Sequence, residues 1–402
     1  MHRKTDRIIG YGSGVRNNPF SKRYKRYTII AILLLLASIV FLIGEVLYYA
    51  GLNTGWYIDS KSLRPVFAFI SDLGFETAYI IIGCALYFAI DRMLAKKIFF
   101  LFILSAGVNV ILKLYFEDLR PPTNIVGGIP VENSFGWPSG HSQISATFWL
   151  FIFFEVETYA SLHLIKRNTK LFIQAASVLM PSAISYSRLA LGVHDLADVV
   201  GGICVGLIVL GVFYLLNLDT LIEIWFSKPP SFHTSFDKKL AITDSALQTG
   251  SEQGGILRIL DIIYFLVIAV SFLVPFFLTP ALNDTDYNLC KLGGLLAGMC
   301  ISFKLETRFH SYQPEKLKVS VRVVLGLLGL LLTLVADKIL SSVFGMLLSD
   351  TPGSPSGYGG DNIVIYLVQY LFLGTIIGFG IVILLGLALR IFTHAGKTSG
   401  YQ

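Results

Sequence analysis

The chain has 402 residues, of which 54% are apolar and only 14% are charged. Soluble domains have roughly 25% charged residues, so this composition excludes an ordinary soluble protein and indicates an integral membrane protein. The net charge of +6 gives no reason to expect a nucleic-acid partner, because the cytoplasmic loops of membrane proteins collect Lys and Arg.

The first half of the chain is predicted to contain six membrane-spanning helices. A basic tail, residues 1–26, precedes them and is cytoplasmic by the positive-inside rule. A short interfacial helix is expected between Asp59 and Asp72 on the outer face. A span needs about 20 apolar residues, and such segments lie near 27–49, 74–91, 98–115, 140–156, 171–188 and 196–216.

The second half of the chain follows a polar segment rich in Pro, Ser, Thr and Gly, which predicts a linker. Four further spans are expected near 256–279, 288–304, 320–345 and 363–390. The sequence therefore predicts an all-α integral membrane protein, with a six-helix core and a C-terminal four-helix membrane extension. Its predicted parts are the tail 1–26, the core 27–216, a cytoplasmic linker 217–255, the four-span domain 256–392 and a cytoplasmic tail 393–402.

Three short polar blocks interrupt the apolar pattern, and this topology places all of them on the outer side. They are KLYFEDLRP at 113–121, WPSGHS at 137–142 and SRLALGVHDLAD at 187–198. Basic residues usually mark the cytoplasmic side, so the cations in these blocks lie against the orientation rule. Charged residues at the ends of spans are costly and tend to be functional.

The blocks contain the residue types that bind a phosphate group. Lys113, Arg120 and Arg188 are three cations, and arginine matches a phosphate with two parallel hydrogen bonds. Ser139 and Gly140 are expected at a helix start, where backbone N–H groups and the helix dipole favour an anion. Taken singly, a Lys or Arg at a membrane edge is usually an interfacial anchor, so the prediction of a phosphate site depends on the three blocks together.

Two histidines beside a phosphate suggest covalent catalysis with a separate proton donor. His194 precedes Asp198 by four residues, about one helical turn, and a carboxylate there can hold the imidazole tautomer. We therefore expect His194 to be the nucleophile and His141 the acid for the leaving group. No acidic cluster near the blocks resembles a divalent-metal site, so we expect a metal-independent reaction and no cofactor.

Together, the three blocks resemble the motifs of the type 2 phosphatidic acid phosphatases, KxxxxxxRP, PSGH and SRxxxxxHxxxD. The resemblance covers about residues 60–216, and every fixed position is matched. It implies a six-helix core, a phospho-histidine on His194 with Asp198 as its partner, and His141 as general acid. It also implies that the phosphate is held by Lys113, Arg120, Ser139, Gly140 and Arg188.

The expected function is hydrolysis of a lipid phosphate, or of a prenyl or lipid diphosphate, at the extracytoplasmic face. The expected location is a bacterial inner membrane, with the site facing the periplasm or exterior. Transfer of the phosphate to another lipid, hydrolysis of a soluble sugar phosphate, and a non-catalytic transporter or scaffold stay open as alternatives. The substrate and the oligomeric state do not follow from the sequence.

Overall fold

A computed structural model describes residues 19–126, 129–132, 134–161, 164–226, 252–281, 284, 287–308, 314, 317–349 and 360–398. Parts of both predicted tails, of the predicted linker and of the predicted loop between the last two spans lie outside these residues. The described part is helical apart from short connections, which confirms the all-α membrane class. Its one sheet is a two-stranded antiparallel ribbon that pairs β1 (Ile125–Val126) with β2 (Ile129–Pro130).

The helices follow the predicted spans closely. In the first half they are α1 (Pro19–Tyr49), α2 (Arg64–Asp72), α3 (Glu76–Ala85, extended by a π turn at Leu86–Ile90), α4 (Arg92–Phe116), α5 (Gly140–Ser161), α6 (Arg167–Ala190), α7 (Leu196–Leu215) and α8 (Leu218–Phe226). In the second half they are α9 (Glu252–Ala281), α10 (Asn288–Arg308), α11 (Val319–Ser349), α12 (Gly360–Thr375, extended by a π turn at Ile376–Gly380) and α13 (Ile381–Thr398).

The apolarity of these helices shows a multi-pass membrane protein. Within the described residues, 7 spans are long and apolar enough to cross a bilayer, or 8 if α2 and α3, bent by 47°, form one broken span. The predicted spans at 140–156 and 171–188 are helical, as α5 and α6, but are not among them. Their buried faces contain polar side chains such as Gln143, Ser185 and Arg188, which lower the hydropathy of both helices.

One apolar core extends through both halves of the chain. Phe88, Phe151 and Phe213 from the first half belong to the same buried cluster as Phe303 and Val382 from the second. A buried ion cluster lies at the predicted cytoplasmic end of this contact, where Glu306 of α10 pairs with Arg92 and Lys96 of α4. The C-terminal helices are therefore packed directly on the core.

The segment after α7 contains a helix that the sequence analysis had assigned to the linker. Helix α8 buries Ile222, Trp225 and Phe226, and Asp219 near its start accepts a hydrogen bond of 2.9 Å from Arg26 Nη2. The linker therefore begins as a packed helix, because its apolar side chains recur on one face. The division of the chain into domains stays a prediction.

Candidate active site

The three predicted cations lie at neighbouring helix ends. Lys113 is in the last turn of α4, Arg188 is in the last turn of α6, and Arg120 lies in the loop after α4. The C-cap residue of that helix is Glu117, whose left-handed backbone (φ 49°) lets the chain turn away from the helix axis. The ends of α4 and α6 and the starts of α5 and α7 therefore come together, as the three blocks predicted.

A carboxylate that the sequence analysis did not single out joins the two arginines. Glu132 Oε2 lies 2.6 Å from Arg120 Nη2, and Glu132 Oε1 pairs with Arg188 Nη2. Burial alone raises the pKa of Glu132, but the guanidinium groups of Arg188 and Arg120 outweigh it and hold the pKa below its ordinary value. The carboxylate is therefore ionised at neutral pH and balances the two cations.

The loop before α5 fixes Glu132 through its backbone. Asn124 Nδ2 donates to Glu132 O at 2.9 Å, and Glu132 N donates to Asn124 Oδ1 at 3.2 Å. Val131 N also donates to Asn124 O at 2.7 Å. Arg188 has a further partner, since its Nη1 donates to Ser71 Oγ of α2 at 2.6 Å. Glu132 and Ser71 thus orient Arg188.

His194 and Asp198 form a hydrogen-bonded pair. The distance from His194 Nδ1 to Asp198 Oδ2 is 2.8 Å, and His194 Nε2 lies 3.1 Å from Arg120 Nη1. Arginine is always a donor, so Nε2 accepts, and Nδ1 carries the proton that is donated to Asp198. The free-base nitrogen of His194 therefore points at a guanidinium that is suited to bind phosphate.

Burial lowers the pKa of His194 well below its ordinary value, and the positive charges of Arg120, Arg188 and Lys113 lower it further. The side chain is only 1% exposed. His194 is therefore neutral at physiological pH, which is the form that can act as a nucleophile.

A capping box fixes Asp198 at the start of α7. Asp198 N donates to Asp195 Oδ1 at 2.9 Å, and Asp195 N donates to Asp198 Oδ2 at 3.3 Å. Asn53, after α1, donates from Nδ2 to Asp195 Oδ2 at 2.9 Å and accepts from Ala197 N at 3.1 Å. Asp195 is therefore the N-cap of α7, and Asn53 is a supporting residue that sequence reasoning missed.

His141 lies in the first turn of α5, beside the arginines. Electrostatic interactions link His141 with Arg188 and Glu132, so these side chains lie near each other. Its ring packs edge-on against Phe75, with centroids 4.5 Å apart. His141 Nε2 is buried and has no hydrogen-bond partner among the described residues, so this nitrogen is available to a group bound in the site.

Ser139 ties α5 to α7. Its N–H donates to Asp198 O at 3.0 Å, and its hydroxyl accepts from Ser142 Oγ at 3.2 Å. The expectation of a free N–H at Ser139 therefore does not match this geometry. Gly140 is tightly packed, because a Cβ there would lie 3.0 Å from Asn109 Oδ1. The phosphate-binding roles of Ser139 and Gly140 stay predictions.

Lys113 faces the loop that precedes α5. Its Nζ donates to Phe135 O, and to Gly136 O at 3.2 Å. Gly136 is required here, because a Cβ would come within 2.7 Å of Asp118 Oδ2 and 3.1 Å of Asp198 Oδ2. The ammonium group thus holds the loop close to the His194–Asp198 pair.

Buried polar side chains beneath the site connect α4 with α5. Asn109 Nδ2 donates to Pro138 O at 3.1 Å and to Gln143 Oε1 at 2.9 Å, and Gln143 Nε2 donates to Ser105 O at 2.7 Å. Polar residues in a span usually face the protein interior. That rule, applied to Asn109 and Gln143, could have found this support from the sequence.

Within the described residues, no three His, Cys, Asp or Glu side chains are arranged to hold a metal ion. The structure brings Arg120, Arg188, His194 and Asp198 into one contact network, with Lys113, Ser139 and His141 at its edge. Such an arrangement can bind a phosphate group and present a neutral imidazole to it.

Residues 94–221 match the PAP2 superfamily. Phosphatidylglycerophosphatase B of Bacillus subtilis strain 168 is 30% identical over 139 residues, which are 34% of this chain and 64% of the relative. The chain thus matches just under two thirds of that relative's length.

Among solved structures, the chain is similar to the transmembrane PAP2 type phosphatidylglycerolphosphate phosphatase from Bacillus subtilis. The identity is 22% and the TM-score is 0.32, and the match covers 52% of this chain and 100% of that one.

Proposed function

We propose that the chain is a PAP2-type membrane phosphatase that removes a terminal phosphate from a lipid phosphate or diphosphate. The match of residues 94–221 to the PAP2 superfamily supports this proposal. The relative named as a phosphatidylglycerophosphatase makes phosphatidylglycerophosphate the first substrate to test. The observation that supports the proposal best is the orientation of His194. Its Nδ1 is hydrogen-bonded to Asp198, and its Nε2 lies 3.1 Å from Arg120 Nη1.

In the proposed reaction, Arg120, Arg188 and Lys113 bind the phosphate and neutralise its charge. His194 Nε2 attacks phosphorus, so a P–N bond forms while the P–O bond to the leaving group breaks. Asp198 accepts the Nδ1–H hydrogen bond and stabilises the positive charge that develops on the ring. His141, which takes up a proton when the phosphate anion is bound beside it, gives that proton to the leaving oxygen, and the lipid alcohol departs.

The second half of the proposed reaction restores the enzyme. Neutral His141 accepts a proton from a water molecule, whose oxygen attacks phosphorus. The P–N bond breaks, inorganic phosphate leaves, and His194 is again neutral. No step uses a metal ion, so we propose a metal-independent mechanism. The distribution of Lys and Arg supports a site on the extracytoplasmic face, and the proposal includes this face and a bacterial inner membrane as the location.

The proposal is tested by phosphate release from purified protein in excess EDTA, with phosphatidylglycerophosphate and a panel of other lipid phosphates. We expect turnover in the wild type and none above background in His194→Ala. His233→Ala is the control, because His233 lies in the predicted linker and should leave the rate unchanged.

Turnover that persists in folded His194→Ala protein would contradict the phospho-histidine step, and loss of turnover in EDTA would contradict metal independence. Labelled substrate would also show whether the product is free phosphate, as expected for hydrolysis, or a second phosphorylated lipid.

A further inference from the structure

An apolar cavity of about 130 Å³ lies between the six-helix core and the C-terminal helices. One side is formed by α3, its π turn and α4, and the other by α10, α11 and the π turn that follows α12. Its lining includes Tyr79, Gly83, Phe102, Met299, Thr333 and Ile377. The cavity therefore lies where the predicted extension meets the PAP2 part of the chain.

Two polar groups in the cavity wall, on Thr333 and Tyr87, have protein partners, whereas the buried Tyr79 hydroxyl has no hydrogen-bond partner among the described residues. Thr333 Oγ1 donates to Gly329 O at 2.8 Å and accepts from Cys84 Sγ at 3.8 Å. Tyr87 OH donates to Gly378 O at 2.8 Å. An apolar cavity of about 150 Å³ stays dry and binds a hydrocarbon of benzene's size. This cavity is thus suited to about six carbon atoms of a hydrocarbon chain and unsuited to a charged headgroup.

One face of α3 leads from the histidine site to the cavity. Phe75, at the N-terminal cap of α3, packs against His141 with ring centroids 4.5 Å apart. Residues four apart lie on the same side of a helix, and Tyr79 and Gly83 on that side line the cavity. At 1.5 Å per residue, the lining begins about 6 Å beyond Phe75 and extends to about 20 Å, at Phe88.

We propose that this cavity receives the end of the hydrocarbon chain of the substrate. This inference rests on the proposed function, in which His141 protonates the leaving oxygen. Atoms attached to that oxygen must then lie beside Phe75, and a long chain that continues along α3 reaches the cavity. Ile80, which is 45% exposed, also lines the cavity, so the cavity opens towards the bilayer, where a chain enters.

The C-terminal helices complete this chain-binding site, since Met299, Thr333 and Ile377 form its second wall. A lipid chain in the bilayer is already surrounded by hydrocarbon, so close packing, rather than removal from water, provides the selectivity. Chains long enough to reach the cavity gain these contacts, and short chains do not. The cavity therefore selects substrates by chain length and shape.

Gly83 offers a direct test. Outside the backbone of its own helix, a Cβ built at Gly83 meets no heavy atom of the described residues within 4 Å, so Gly83→Phe places a ring in the cavity without a clash against neighbouring helices. Gly107→Phe is the matched control, because Gly107 is also a half-buried glycine with nothing within 4 Å and is not part of the cavity wall. The measurement is kcat/KM for hexadecyl phosphate and for butyl phosphate in the same mixed micelles.

Gly83→Phe is expected to lower the ratio of kcat/KM for hexadecyl phosphate to kcat/KM for butyl phosphate about tenfold. The added ring fills the cavity, and a filled site has no room for the end of the long chain. The rate with butyl phosphate and both rates of Gly107→Phe should stay unchanged. An unchanged ratio in folded Gly83→Phe protein would overturn the proposal. The proposal would also be overturned if Gly83→Phe lost a bilayer lipid that co-purifies with the wild type while the kcat/KM ratio stayed unchanged. The cavity would then hold a structural lipid and not the substrate chain.

Failure of the proposed function is recognisable separately, since the wild type would release phosphate from neither compound. Calorimetric binding of hexadecylphosphonate and butylphosphonate then tests the cavity without turnover, and only hexadecylphosphonate should bind more weakly to Gly83→Phe. If Gly83→Phe does not fold, Ile377→Ala widens the cavity instead. It should raise the preference for branched farnesyl phosphate over hexadecyl phosphate, and an unchanged preference would contradict the proposal.

Discussion

The carboxylate of Glu132 pairs with the guanidinium group of Arg188, whose side chain is only 2% exposed. The other oxygen of the same carboxylate lies 2.6 Å from Arg120. A buried cation needs a counter-charge, and Glu132 provides it for two cations at once. A phosphate bound by these arginines needs the same donors, so Glu132 and phosphate compete for them.

Glu132→Gln is therefore expected to strengthen inhibition by inorganic phosphate. Removing the negative charge ends both the competition for donors and the repulsion of the phosphate anion. We estimate that the inhibition constant for phosphate falls about tenfold as a result. The constant is measured from initial rates at increasing phosphate concentration. Glu117→Gln is the control, because Glu117 is an exposed carboxylate of the same loop region. A weaker inhibition in Glu132→Gln would show that the orientation of the arginines by Glu132 matters more for phosphate binding than the competition between the two anions.

The pH dependence of the reaction should reflect the environment of His194. Its pKa lies well below the ordinary value because of burial and the neighbouring cations. A histidine with a lowered pKa stays neutral, and so nucleophilic, as the pH falls below 6.5. We therefore expect kcat/KM, corrected for ionisation of the substrate phosphate, not to fall as the pH is lowered from about 7 to about 5.5. A loss of kcat/KM with an apparent pKa near 6.5 would show that His194 has an ordinary pKa.

The sequence predicted most of the helices and the helix ends that meet at the site. Apolar runs of spanning length determine such helices because a bilayer requires internal hydrogen bonding of the backbone. Helices α5 and α6 were found in the same way, although their buried polar residues lower their hydropathy. The predicted interfacial helix and second span are the two helices α2 and α3, which are bent by 47° at a break near Gly74. Its position depends on packing, since a Cβ there would lie 2.7 Å from His141 Cδ2.

The supporting residues of the site were harder to predict. Glu132 is a single carboxylate in a polar loop, and only the three-dimensional meeting of Arg120 and Arg188 shows why it is needed. Asn53 is separated by 142 residues from Asp195, to which it donates, and no local pattern links the two. The motif residues were recognisable because each block is a short stretch of sequence, whereas their partners are brought to them by the fold.

Glu306 provides a test of how firmly the C-terminal helices are attached to the core. Its carboxylate accepts from Arg92 at 2.6 Å and lies 2.8 Å from Lys96 Nζ, and the side chain is 7% exposed. Removing one partner from a buried ion cluster leaves uncompensated charge, which costs about 3–5 kcal/mol. Glu306→Gln should therefore lower the free energy of unfolding by about 3 kcal/mol or more.

Asp219→Asn is the matched control for this prediction. The ion pair between Asp219 and Arg26 also joins two helices, but its side chains are 17% and 23% exposed. Because water screens such a pair, its loss should cost about 0–1 kcal/mol. Chemical unfolding of both variants in detergent, followed by tryptophan fluorescence, provides the comparison. Equal losses would mean that the Glu306 cluster contributes no more than a solvated pair, and that apolar packing alone holds the C-terminal helices against the core.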